Sequence, residues 1–174
     1  MKIKPLELER FLKDELIGSK ALEGSEIITL YEQASVRKSM RQAIHMALSK
    51  PLRPINKYIH DKDELINTYI PQINFGRCQG HTTAIAEYLQ ESETVDTITV
   101  VVYDSHFIDF FKGFIRTPRG KHNYQIMSAY SFKRVTDYSL HPHVIFDSRL
   151  TLDMLHTESV LLLLTNSKVV CLGV

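Results

Sequence analysis

The sequence has no tryptophan, two cysteines in 174 residues and almost no net charge. Each shortage excludes something. Cys78 and Cys171 stand far apart, and Met1-Lys-Ile-Lys-Pro-Leu-Glu carries charge where a secretory leader needs an apolar core. Free thiols in a reducing compartment are therefore expected rather than a disulfide framework. The 21 Lys and Arg against 20 Asp and Glu leave a formal charge of +1, which argues against a uniformly basic nucleic-acid binder but not against a local basic face. The longest strongly apolar stretch, Val160 to Leu164, is far too short to cross a bilayer, so no membrane partner is expected. What remains is ordinary globular composition, 44% hydrophobic and 24% charged, at a length suited to one domain with a helical appendage.

The first 69 residues read as a helical N-terminal segment. Leu6, Leu8, Phe11, Leu12, Leu16 and Ile17 form one amphipathic stripe ending at Gly18. A second helix is predicted from about Glu26 to Leu48, before Pro51 and Pro54 break the pattern. Asp61 and Glu64 make a capping-box-like pair ahead of a short third helix. From residue 70 to 174 the texture becomes α/β, with β-branched runs alternating with helical segments. Strands are predicted at 71–75, 97–103, 124–130, 143–146, 160–164 and 168–173, and helices at about 82–91, 105–113 and 149–156. Runs such as Val100-Val101-Val102 suit strands buried on both faces, so the fold expected is a mostly parallel sheet sandwiched by helices.

The most informative stretch is Phe75-Gly-Arg-Cys-Gln-Gly-His-Thr-Thr83. An apolar run leads into a turn bounded by Gly76 and Gly80, and Thr82-Thr83-Ala84-Ile85-Ala86 then opens a helix. Strand, glycine-bounded turn and helix start together aim backbone N–H groups and a helix dipole at an anion. The phosphate-loop pattern G-x-x-x-x-G-K-[ST] has a Lys for the β/γ-phosphates and a hydroxyl for Mg²⁺. Here His81 stands in the lysine position and Thr82 keeps the hydroxyl. The bland alternative is a turn whose glycines serve only the backbone. Downstream, His143-Val144-Ile145-Phe146-Asp147 is an apolar strand ending in an acid, which either helps hold Mg²⁺ or simply caps a helix. Leu161 to Ser167 reads as a strand ending in Thr165-Asn166-Ser167, either a γ-phosphate sensor or a hairpin turn.

In this order the elements resemble the ATPase core of additional-strand P-loop NTPases, especially viral DNA-packaging terminases and superfamily-2-like helicases. Terminase loops often read x-R-x-x-G-K-T-T, and Gly76-Arg77-Cys78-Gln79-Gly80-His81-Thr82-Thr83 matches at Arg77, Gly80, Thr82 and Thr83. The resemblance covers residues 70–174. It implies ATP or another nucleotide bound by Gly76, Arg77, Gly80, His81, Thr82 and Thr83, with Mg²⁺ on Thr82 and Asp147. It also implies a cytoplasmic setting, the host cytoplasm if the chain is viral. His81 replaces the lysine and Ser148 stands where these enzymes have a catalytic Glu, so weakened or absent hydrolysis is expected.

A second clue is charge segregation. Lys112 to Arg134 contains no acid and interleaves Arg116, Arg119, Lys121, Lys133 and Arg134 with Phe114, Tyr124, Tyr130 and Phe132. Such a stretch either tracks a DNA or RNA backbone or is a solvated loop beside core aromatics. Residues 37–57 are also free of acids. His141-Pro142-His143 lacks further ligands at a familiar metal spacing. Three functions stay open on these residues. One is a degenerate NTPase-like accessory or regulatory subunit on nucleic acid. Another is an active motor with His81 in place of lysine, and the third is an interaction module that docks a protein partner or a second copy.

Overall fold

The computed structural model describes residues 24–56, 58–74, 80–92, 96–114 and 124–173. The predicted stripe at Leu6–Ile17 lies outside them. In chain order the elements are α1 (Gly24–Ser49), α2 (Lys62–Tyr69), β1 (Gln72–Ile73), α3 (His81–Glu91), β2 (Ile98–Val102) and α4 (Ser105–Phe114). There follow β3 (Tyr124–Ser128), α5 (Ala129–Phe132), a 3₁₀ turn (Tyr138–Leu140), β4 (His143–Phe146), α6 (Arg149–Asp153), α7 (Thr157–Asn166) and β5 (Lys168–Leu172). The Asp61 cap behaves as its spacing suggests, its side chain accepting from the Glu64 amide at 2.8 Å.

The five strands form one sheet in the order β1-β5-β4-β2-β3, and every neighbouring pair is parallel. Connection handedness explains the layering. The chain steps outward from β1 to β2 to β3 and then returns through β4 to β5. Right-handed crossovers in opposite directions must use opposite faces. Accordingly α3 and α4 cover one face with α1, burying Ile44, Ile85, Leu89 and Phe111 on Val100, Val102, Ile145 and Val170. The return connections α5, α6 and α7 cover the other with α2, burying Leu65, Phe132, Leu152 and Leu163 on Val101, Val144, Phe146 and Cys171. The α/β sandwich expected from the uninterrupted valines is thus the fold observed.

One predicted strand is a helix. Val160 to Leu164 belongs to α7, where Val160, Leu163 and Leu164 are buried while Leu162 is 52% exposed. That i, i+3, i+4 burial is helical, and a continuous apolar run conceals it. Thr165 and Asn166 return their side chains to the carbonyls of Leu161 and Leu162, both at 2.7 Å, and Ser167 leads directly into the first residue of β5. The three polar residues therefore close a helix at the amino edge of the sheet. They are neither a hairpin nor a phosphate sensor, because the sensor position requires the carboxyl edge. β3 likewise ends at Ser128, whose Oγ accepts from the Ser131 amide and starts α5 where the strand was expected to continue to 130.

A polar triangle lies within the sheet. His141 Nδ1 is 2.9 Å from Thr99 Oγ1 and 2.8 Å from Gln125 Nε2, and Gln125 also donates to Thr99 at 2.9 Å. Burial pushes the His141 pKa down, so a neutral ring accepting at Nδ1 satisfies this geometry. His143 is engaged elsewhere, beside Asp96 at 3.7 Å. The His-Pro-His run is therefore split between two environments. No group of three or more His, Cys, Asp or Glu among the described residues is arranged to hold a metal.

Candidate functional site

Parallel strands bring all their carboxyl ends to one edge, and the crevice between connections leaving to opposite faces is where such sheets place ligands. β2 sends its connection to the α3–α4 side and its neighbour β4 sends its own to the other. β5 lies between β1 and β4, pairing Ile73 with Leu172 and Phe146 with Cys171. Asp147 therefore follows β4 level with Leu172 and Ile73. It lies two strand spacings, about 9–10 Å, from the end of β1. Its amide donates to the Val101 carbonyl at 3.1 Å, which ties the acid to the crevice.

The loop leaves β1 after Asn74 and re-emerges at Gly80. Gly76, Arg77 and Cys78 lie outside the described residues. Gly80 has φ +76°, a left-handed conformation that disfavours any other residue. It precedes the first turn of α3, and Ala84 donates back to its carbonyl at 2.8 Å. The amides of His81, Thr82 and Thr83 consequently have no intrahelical acceptor and face the end of the helix where anions are favoured. His81, Thr82 and Thr83 are half-buried.

Two buried side-chain atoms here lack partners. Asp147 Oδ1 and His81 Nε2 are both buried without a hydrogen bond. Burial pushes the Asp147 carboxyl up to about 6, only partly opposed by hydrogen bonds from Ser148 and Thr151. Burial also pushes His81 below its ordinary value, so its imidazole is neutral at pH 7. Ser148 is the N-cap residue of α6 without a side-chain cap bond. An unsatisfied carboxylate oxygen suits a cation or a metal-bound water, so the chemistry of Asp147 fits Mg²⁺.

The structure adds a cation that the sequence reading did not assign. A Cβ built on Gly80 would lie 3.4 Å from Cδ and 3.6 Å from Cγ of Arg37, so the arginine stem of α1 packs against the loop's last residue. Arg37 Nε donates to Glu87 Oε1 at 3.3 Å. Arg41, one turn on, pairs with the other oxygen of Glu87 and with Glu91 at 3.1 Å. The signal was legible as two matching i, i+4 pairs, Arg37/Arg41 and Glu87/Glu91, which place complementary faces on two helices. Gly80→Ala is expected to lower unfolding free energy by about 1–2 kcal/mol, since an L residue is strained at this φ and its methyl meets Arg37. A urea titration against wild type checks it.

Of the basic stretch, Arg116, Arg119 and Lys121 lie outside the described residues. Lys133 is half-buried and Arg134 exposed, directly after α5 and on the carboxyl side of β3. Among the interleaved aromatics Phe132 is fully buried and Tyr124 packs against the core, while Tyr130 is 53% exposed. Cys171 is a buried thiol pushed up to about 12, and is inert. No helix among the described residues is long and apolar enough to cross a membrane. No family model, curated protein or solved structure matches the chain.

Proposed function

We propose that the chain is a degenerate P-loop NTPase-like protein that binds a nucleotide with Mg²⁺ and hydrolyses it weakly or not at all. In this reading it acts as a nucleic-acid-associated accessory or regulatory subunit, cytoplasmic and of the viral terminase kind. The observation that carries the reading is strand order. An intervening strand, β5, separates the loop strand from the strand that ends in Asp147, the arrangement for which the additional-strand class is named. Gly80, the free amides of α3 and the unsatisfied Asp147 oxygen then lie along one edge.

The same edge favours binding over turnover. A neutral, buried His81 does not replace a lysine charge, which disfavours the active motor with His81 in that role. Arg37 lays its stem against Gly80 while its Nε pairs with Glu87 at 3.3 Å, so it adds no unopposed charge to the loop. Nothing at Ser148 can act as a general base, a loss that typically lowers rate ~10²–10⁴-fold. Lys133 and Arg134 beside β3 provide basic groups for a polyanion.

ATP with Mg²⁺ is expected to raise the melting temperature progressively with its concentration, by about 2.7 kcal/mol of stabilisation at a hundredfold excess over Kd. Thr82→Ala removes that response. Phosphate release, with or without DNA, stays at background. Steady release abolished by both Thr82→Ala and Asp147→Asn would instead establish an active NTPase. No response to any nucleotide and no salt-sensitive DNA or RNA retention would leave a protein-docking module.

A further inference from the structure

The amino edge of the sheet, opposite the loop, holds a cavity of about 740 Å³ between α1, the end of α3 and the first residues of β4 and β5. That is room for a small organic ligand. Leu48 and Tyr88 give it apolar surface. Lys38 and Lys168 also line it, and neither ammonium has an ion-pair partner among the described residues. Of the acids on the same wall, Glu91 pairs with Arg41 at 3.1 Å, and Asp96 lies 3.7 Å from His143 Nε2, a ring that burial keeps neutral. His143 is only 7% exposed, and its Nδ1 is buried without a partner. Three cations on this lining, Lys38, Arg41 and Lys168, face two acids, Glu91 and Asp96, so its net charge is positive by one, next to apolar surface and an unused hydrogen-bonding nitrogen.

We propose that this cavity binds a small organic anion, a carboxylate or phosphate carried on an apolar body, through Lys38, Lys168 and His143. Leu48 and Tyr88 take the body of the ligand. Within the acid-free run at 37–57, Arg37 and Arg41 are matched by Glu87 and Glu91 while Lys38 is left for the cavity. The site is separate from the loop, being at the other end of the strands.

Titration calorimetry of the full chain with phenyl phosphate and benzoate tests it, with benzylamine and benzyl alcohol as cationic and neutral counterparts. Saturable binding of at least one anion is expected, and the tighter of the two identifies the head group. Lys38→Gln and Lys168→Gln each weaken it about tenfold, as expected for loss of one charge-assisted contact. Lys38 is exposed, so its replacement does not disturb the core. Thr82→Ala, at the opposite edge, leaves the affinity unchanged. Benzylamine binding as tightly as the anions, no saturable binding of either anion, or undiminished affinity in the double lysine variant overturns the proposal. Loss of anion binding in Thr82→Ala overturns it too, by moving the site to the loop.

Discussion

Phe132→Ala is expected to lower the free energy of unfolding by about 3–5 kcal/mol, the largest effect of any single replacement considered for this chain. Phe132 is fully buried, and its ring meets three others edge-on. The centroids are 5.6 Å from Tyr138, 5.5 Å from His141 and 5.7 Å from Phe146. Such pairs add about 0.5–1.5 kcal/mol each beyond area burial. Truncation would open a void where α5, the 3₁₀ turn and β4 converge, and β4 leads straight to Asp147. The control is Tyr130→Ala, two residues away and 53% exposed, which is expected to change stability by no more than about 0.5 kcal/mol. Urea titrations of both variants separate a packing role from the base-stacking role that an interleaved aromatic suggests. A small loss at Phe132 would contradict the packing account.

The second large effect is electrostatic. Burial holds the folded Asp147 carboxyl at about 6, above its unfolded value. For an acid with a raised folded pKa, the native state binds the extra proton between the two values, so stability falls as pH rises through that window. The expected loss between pH 4 and pH 7 is about 2 kcal/mol from this group. Asp147→Asn removes it, so the variant is expected to be the more stable protein at pH 7 and indistinguishable near pH 3. The three histidines with lowered values, His81, His141 and His143, act in the opposite sense, favouring the fold above their unfolded pKa and losing that contribution as pH falls. Subtracting the pH profile of Asp147→Asn from that of wild type therefore isolates the carboxylate. In the proposed function, Mg²⁺ with nucleotide restores stability to wild type at pH 7 and does nothing for Asp147→Asn. A flat difference profile would mean that Asp147 is not buried as charge.

These two residues show how unevenly the site was legible. Asp147 was readable because it follows four apolar residues directly, and a buried strand ending in an acid is a local pattern. Phe132 was misleading. Its neighbours Lys133 and Arg134 gave it the look of an exposed basic stretch, yet a four-residue helix turns its ring inward while leaving Tyr130 outside. For Arg37 the paired charges Arg37/Arg41 and Glu87/Glu91 hinted only that α1 and α3 pair, and its approach to Gly80 arises only once α1 lies along α3.

The sequence by itself determined the layers. Continuous valines specified strands covered on both faces, glycines and caps marked where helices start, and the scarcity of long apolar runs set the scale of each element, all through interactions between near neighbours. The tertiary structure alone decided that Val160 to Leu164 is a helix, since a uniformly apolar run has no period until one side finds a sheet to pack on. It also decided the strand order, because the choice of neighbour for β5 rests on crossover handedness and on contacts more than 90 residues apart, such as Ile73 with Leu172. That choice is what aligns the loop strand with Asp147 and leaves the two edges of the sheet with different chemistry.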